Sequence, residues 1–106
     1  MHDRADLLAR LCDDEGIAAE VMSVFFSDMP RQLALLGEAF DAADPALVKR
    51  QAHTIKGASG NVGAAAMRLV AYEVEKAAGL GDLIEARRCF DRLRAELERL
   101  ENHCGV

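Results

Sequence analysis

His53 stands among residues suited to carrying a negatively charged group. The run Gln51-Ala52-His53-Thr54-Ile55-Lys56-Gly57 reads as helix, and on a helix the neighbours of position 53 are 49, 50, 56 and 57. Those positions hold Lys49, Arg50, Lys56 and Gly57, three cations and one missing side chain around an imidazole. An unprotonated imidazole nitrogen is a competent nucleophile at neutral pH. A lysine one turn away can neutralise phosphoryl oxygens. Helical side chains lean toward the N-terminus, so the residue one turn later, Gly57, is the one that would cover the ring. Glycine inside a helix costs about 1 kcal/mol relative to alanine, and access to the distal ring nitrogen is a reason for it here. Lys49 and Arg50 read as an ordinary solvated face, and His2 and His103 lie near the termini without such surroundings.

Periodicity and punctuation predict five helices to position this group. Residues 3–11 form a short first helix with Leu7, Leu8 and Leu11 on one side, too short to stand alone and expected to lid the others. The second carries Val21, Phe25, Met29, Leu33, Leu36 and Phe40 at steps of three and four, and Pro30 inside it should kink or interrupt it. Asp44-Pro45 starts the third as N-cap and first-turn proline, with Val48, Ala52, Ile55, Ser59 and Val62 inward. Its turn falls near Asn61 to Gly63. The fourth faces Met67, Val70, Val74 and Ala77 inward and ends at Gly79 and Gly81. Asp82 caps the fifth, whose inward side is Leu83, Ala86, Phe90, Leu93, Leu97 and Leu100. Short connections make consecutive helices antiparallel neighbours, so the expected fold is all-α, an up-down four-helix bundle with a short extra N-terminal helix.

At about 100° per residue, Ile55 lies roughly 200° around the helix from His53 and Val62 roughly 180°. His53 therefore points away from the core stripe. If the third and fourth helices turn near Ala64, residues equally distant from that point face one another, and 53 meets Glu75. A carboxylate accepting from the proximal ring N–H would fix the tautomer and leave the distal nitrogen nucleophilic. The competing reading of Glu75 is an exposed charge beside Lys76. Met22, Phe26 and Met29 lie beside the core set of the second helix, and with Gly60 they are the expected partner-contact residues. The competing reading of the three apolar ones is a wide core stripe.

The 106 residues make one domain, spanning 1–106, large enough for a single core. A formal charge of −5 argues against nucleic acid or an anionic membrane as partner. No apolar run approaches the roughly 20 residues of a membrane span, and no signal-peptide profile opens the chain, so it is expected to be soluble. Cys12, Cys89 and Cys104 are odd in number and widely spaced, and read as reduced thiols of a cytoplasmic protein.

The string His53-Thr54-Ile55-Lys56-Gly57-Ala58-Ser59-Gly60-Asn61-Val62-Gly63 resembles the signature of histidine-containing phosphotransfer (HPt) domains, of the hybrid sensor kinase or multistep phosphorelay type. The resemblance extends to Leu7-Leu8-Ala9-Arg10-Leu11, to Phe25-Phe26-Ser27-Asp28-Met29-Pro30, to Asp44-Pro45 and to the final leucine-rich helix, which covers nearly the whole chain. It implies a phosphocarrier in two-component signalling. His53 would take a phosphoryl group from a receiver-domain aspartate and pass it to another, with Lys56 as electrostatic aid, Gly57 as clearance and Glu75 as orienting partner. Many family members look to have glutamine at the Glu75 position, and glutamate there is more similar to the chemotaxis-kinase branch. The implied partners are response-regulator receivers, with a histidine kinase in the same polypeptide if the domain comes from a hybrid kinase, and the isolated domain is expected to be monomeric. No cofactor is implied, since the Mg²⁺ site belongs to the receiver.

Other classes fit less well. The Gly57–Gly63 run lacks a Gly-Lys-Ser/Thr ending and follows a helix, unlike a nucleotide-binding loop. Nothing here suggests an ATP site, and His53 with Glu75 supplies only two metal ligands beside opposing lysines. An enzyme acting on small molecules would need a second catalytic group that is not evident. The serious rival is a helical adaptor in which His53 is incidental; it predicts no phosphorylation, and partner binding unchanged by His53→Gln.

Overall fold

The computed structural model describes residues 17–104, which form four α-helices: α1 Ile17–Asp41, α2 Pro45–Asn61, α3 Ala65–Gly79 and α4 Leu83–Cys104. These correspond to the second through fifth expected helices. The expected helix at 3–11 lies outside the described residues, as does Cys12. Each connection is short, at 42–44, 62–64 and 80–82, so successive helices run antiparallel and the all-α bundle is the observed fold. In cyclic order α1 packs on α2, α2 on α3 and α3 on α4, with a lighter contact closing α4 onto α1.

The local chemistry explains the boundaries. Asp44 Oδ1 accepts from the Leu47 backbone N–H at 3.2 Å, with Pro45 at the first helical position. Asp82 Oδ1 likewise accepts from the Glu85 N–H at 3.0 Å. These caps satisfy amides that a helix start leaves orphaned. Gly63 and Gly81 turn the chain at φ of 73° and 78°, the left-handed region that glycine enters without a Cβ penalty. Of the kink or interruption expected at Pro30, the interruption does not occur, since α1 runs unbroken from Ile17 to Asp41. A proline removes one intrahelical hydrogen bond, and the buried Phe25, Phe26, Met29 and Leu36 on either side of it hold the helix to the bundle.

The inward sides of α2 and α3 are as the periodicity predicts: Val48, Ala52, Ile55, Ser59, Met67, Val70, Val74 and Ala77 are all buried. On α1 the stripe is rotated and wider than expected. Met22, Phe26 and Met29 are core residues, 6%, 8% and 1% exposed, while Val21 is 40% exposed and Val24 is open to solvent. Leu33 and Leu83 are half-buried. A polar link fixes α1 against α2 near the site: the Gln51 amide donates to Gln32 Oε1, and the Gln32 amide donates to Asp28 Oδ2 at 3.1 Å. Gln51 is two residues from His53, so this link also fixes the rotation of α2.

The cysteines depart from the expectation of three reduced thiols. Cys89 is a buried free thiol, its pKa raised by burial and by the nearby Glu85 and Glu73 carboxylates. Cys104 is disulfide-bonded. Linear spacing carries no information on such a pairing, because it does not say which helix ends meet. No described helix is long and apolar enough to cross a membrane.

Candidate functional site

Four contacts set the register of α2 against α3, and in each the two residues are equidistant from position 64. Lys49 lies over Gly79, its Cδ 3.7 Å from where a Cβ on that glycine would be. His53 meets Glu75. Lys56 Nζ sits 5.4 Å from the centre of the Tyr72 ring. Arg68 lies across Gly60, its Cδ 3.3 Å from where a Cβ would stand. The hairpin thus turns where Gly63 allows it, and the pairing of 53 with 75 follows.

His53 Nδ1 is 2.9 Å from Glu75 Oε2, and Lys56 Nζ is 2.8 Å from Glu75 Oε1. One carboxylate therefore holds both the imidazole and the ammonium. Burial opposes its ionisation, yet the hydrogen bonds and charges of Lys56 and His53 outweigh that effect and hold the Glu75 carboxyl below the ordinary glutamate range. An ionised carboxylate only accepts. Nδ1 must therefore carry the proton, and the lone pair of the neutral ring resides on Nε2. The Glu75 side chain is 15% exposed, whereas the His53 side chain is 66% exposed. The anchor is covered and the ring open.

Gly57 gives the opening its shape. A Cβ added there would meet nothing within 4 Å, so the fold does not require glycine at this position. The space beside the imidazole is free for an incoming group. Lys56, expected to reach the space beside His53 with its ammonium, is held between Glu75 and the Tyr72 ring, with its side chain 23% exposed. Tyr72 was not legible as part of the site, although its distance from position 64 equals that of Lys56.

Of the expected partner-contact residues, Met22, Phe26 and Met29 do not present side chains to a partner, because all three are buried. Gly60 is exposed and serves as the seat of Arg68. Lys49 packs over the end of α3 and Arg50 is a solvated residue. A groove between α1 and the C-terminal part of α2, about 410 Å³, is lined by Val21, Val24, Phe25, Ala58 and Val62 together with the acidic Glu20 and Asp28. Among the described residues no cluster of three or more histidine, cysteine or acidic side chains is placed to hold a metal ion.

The Hpt domain family model matches residues 20–103. No curated protein and no solved structure matches the chain. The family match spans α1 through α4 and includes His53, Lys56, Gly57 and Glu75. An all-helical bundle with an exposed histidine on its second described helix, anchored from the third, thus belongs to the Hpt domain family, the phosphocarriers of two-component phosphorelays.

Proposed function

We propose that this domain is a relay intermediate, with His53 accepting a phosphoryl group from a receiver-domain aspartate and passing it to the aspartate of another receiver. The observation that carries the reading is the imidazole anchored through Nδ1 to an ionised Glu75, with Nε2 free beside the opening at Gly57. In the forward step the Nε2 lone pair bonds to phosphorus as the acyl phosphate P–O bond breaks, and that bonding pair leaves on the donor carboxylate. The ring, bearing a proton on Nδ1 and phosphorus on Nε2, becomes cationic. Its new charge faces the Glu75 carboxylate, already in place before the reaction, which is how a fixed charge lowers a barrier. Onward transfer reverses these steps with a second aspartate as acceptor.

Lys56 is held one turn from His53, where an ammonium counters charge on phosphoryl oxygens. Gly57 keeps a methyl group out of the approach path. The domain supplies the nucleophile and its orientation, and the receiver supplies the rest of the machinery. The same reading makes it a cytoplasmic monomer serving receivers, either free-standing or within a hybrid kinase.

The test is incubation of the chain with phosphorylated receivers from the same organism, followed by intact-mass and peptide analysis. The expected result is a phosphoryl increment on His53 that mild acid removes and that His53→Gln abolishes. Absence of transfer from every receiver, or an increment that survives in His53→Gln, overturns the proposal.

A further inference from the structure

The α3 side of the His53 seam carries two exposed side chains that the phosphoryl chemistry leaves unassigned as contacts, Arg68 and Tyr72. Tyr72 is 46% exposed even with Lys56 against its ring. Arg68 makes no ion pair with any described residue, unlike Arg31, Arg88 and Arg92, which pair with Asp28, Glu85 and Glu73. Its aliphatic stem rests on Gly60, where a Cβ would stand 3.3 Å from its Cδ. The glycine thus gives the arginine stem a seat on α2, on the helix face that carries His53.

We infer that Arg68 and Tyr72 form a docking strip for the receiver, with the Arg68 guanidinium pairing with an acidic side chain on the receiver's contact face. This rests on the relay reading, because it takes the receiver as occupant. Position 60 is seven residues from His53, about 10 Å along the helix. A protein–protein contact covers about 800 Å² on each partner, a disc of about 16 Å radius. A receiver contact centred on His53 Nε2 therefore reaches both residues. Gly57 and Gly60 lower the α2 wall between them, allowing close approach. Arginine and tyrosine are the types that dominate binding energy at interface centres, and an unpaired guanidinium is complementary to a surface rich in carboxylates.

The groove on the other flank of α2 is mostly apolar, and its charged lining residues, Glu20 and Asp28, are acidic. It lacks the positive charge for this contact.

The test compares Arg68→Glu with Arg88→Glu. The two make the same change of charge, but Arg88 lies on α4, which packs chiefly on α3, and pairs there with Glu85 of its own helix. For each variant the rate of transfer from a phosphorylated receiver is divided by the rate of direct phosphorylation by phosphoramidate, in which the imidazole displaces ammonia. The ratio cancels any loss of fold or of His53 reactivity. Arg68→Glu should lower it at least about tenfold at low salt, with the deficit narrowing as salt rises; Arg68→Lys should restore most of it, and Arg88→Glu should stay within about twofold of wild type. Equal ratios for Arg68→Glu and Arg88→Glu overturn the docking strip and leave the relay standing. A wild-type chain that reacts with phosphoramidate but with no receiver overturns the relay reading itself, and the strip with it.

Discussion

Replacing Glu75 with glutamine keeps the length of the side chain and removes its charge, which isolates what the carboxylate does for His53. In the wild type Oε2 accepts from the imidazole at 2.9 Å and Oε1 faces the Lys56 ammonium at 2.8 Å as an ion pair, so the one carboxylate serves both. An amide has one oxygen and one NH₂ group. If the oxygen stays on Nδ1, the amide N–H groups face the ammonium and Lys56 is released; if it stays on Lys56, the imidazole loses its acceptor. A hydrogen bond to a charged group contributes about 1.5–3 kcal/mol. The Glu75 side chain is 15% exposed and that of His53 is 66% exposed, so solvent screens part of the interaction and the low end applies, about 1.5–2 kcal/mol. The charge on the ring appears as the N–P bond forms, so this loss falls on the transition state and slows phosphorylation about 10- to 30-fold. Stopped-flow or quench-flow transfer from a phosphorylated receiver, with circular dichroism to confirm folding, measures the effect. A rate within twofold of wild type for a folded Glu75→Gln chain refutes the reasoning, because the carboxylate would then have no part in stabilising the charged ring.

Gly57→Ala should separate stability from function: with nothing within 4 Å of the new Cβ, the helix should gain about 1 kcal/mol and the melting temperature rise by roughly 4–8 °C, while receiver transfer falls. A variant less stable than wild type, or one that transfers normally, contradicts the clearance role. Ser59 is buried and its Oγ has no hydrogen-bond partner among the described residues, so Ser59→Ala should be stabilising by about 1 kcal/mol in urea titrations; a loss of that size would reveal a partner for the hydroxyl. Acid titration should also report on Glu75. Its pKa is lower folded than unfolded, so its contribution is complete above the ordinary glutamate range and is lost as pH falls through the folded value. The stability gap between wild type and Glu75→Gln, read from urea midpoints, should shrink on acidification below that range, and a pH-independent gap contradicts the ion-pair account.

The bundle and the central pair were legible because they depend on periodicity and on one turn. Inward positions of α2 and α3 repeat at three and four residues, and a turn at Gly63 fixes which residues of an antiparallel hairpin meet, so Glu75 followed from His53 by counting. Rotation of α1 was less legible. Met22, Phe26 and Met29 are apolar whether they face a partner or the core, and only packing against α2 and α4 decides; the structure buries them and turns Val21 and Val24 outward. Tyr72 and Arg68 were missed for another reason. Their roles depend on where the ends of the long Lys56 and Arg68 side chains come to rest, and residue spacing fixes the Cβ but not the ammonium or guanidinium several bonds beyond. The disulfide of Cys104 was missed because sequence separation does not report proximity in space.

The central claim is that Glu75 holds the proton on Nδ1 so that His53 reacts through Nε2. It is tested most directly by phosphorylating ¹⁵N-histidine-labelled chain from a receiver and identifying the phosphorylated ring nitrogen by ¹⁵N–³¹P and long-range ¹H–¹⁵N NMR. Phosphorus is expected on Nε2 of His53, with the Nδ1 proton retained. Phosphorus on Nδ1, or on any residue other than His53, contradicts it.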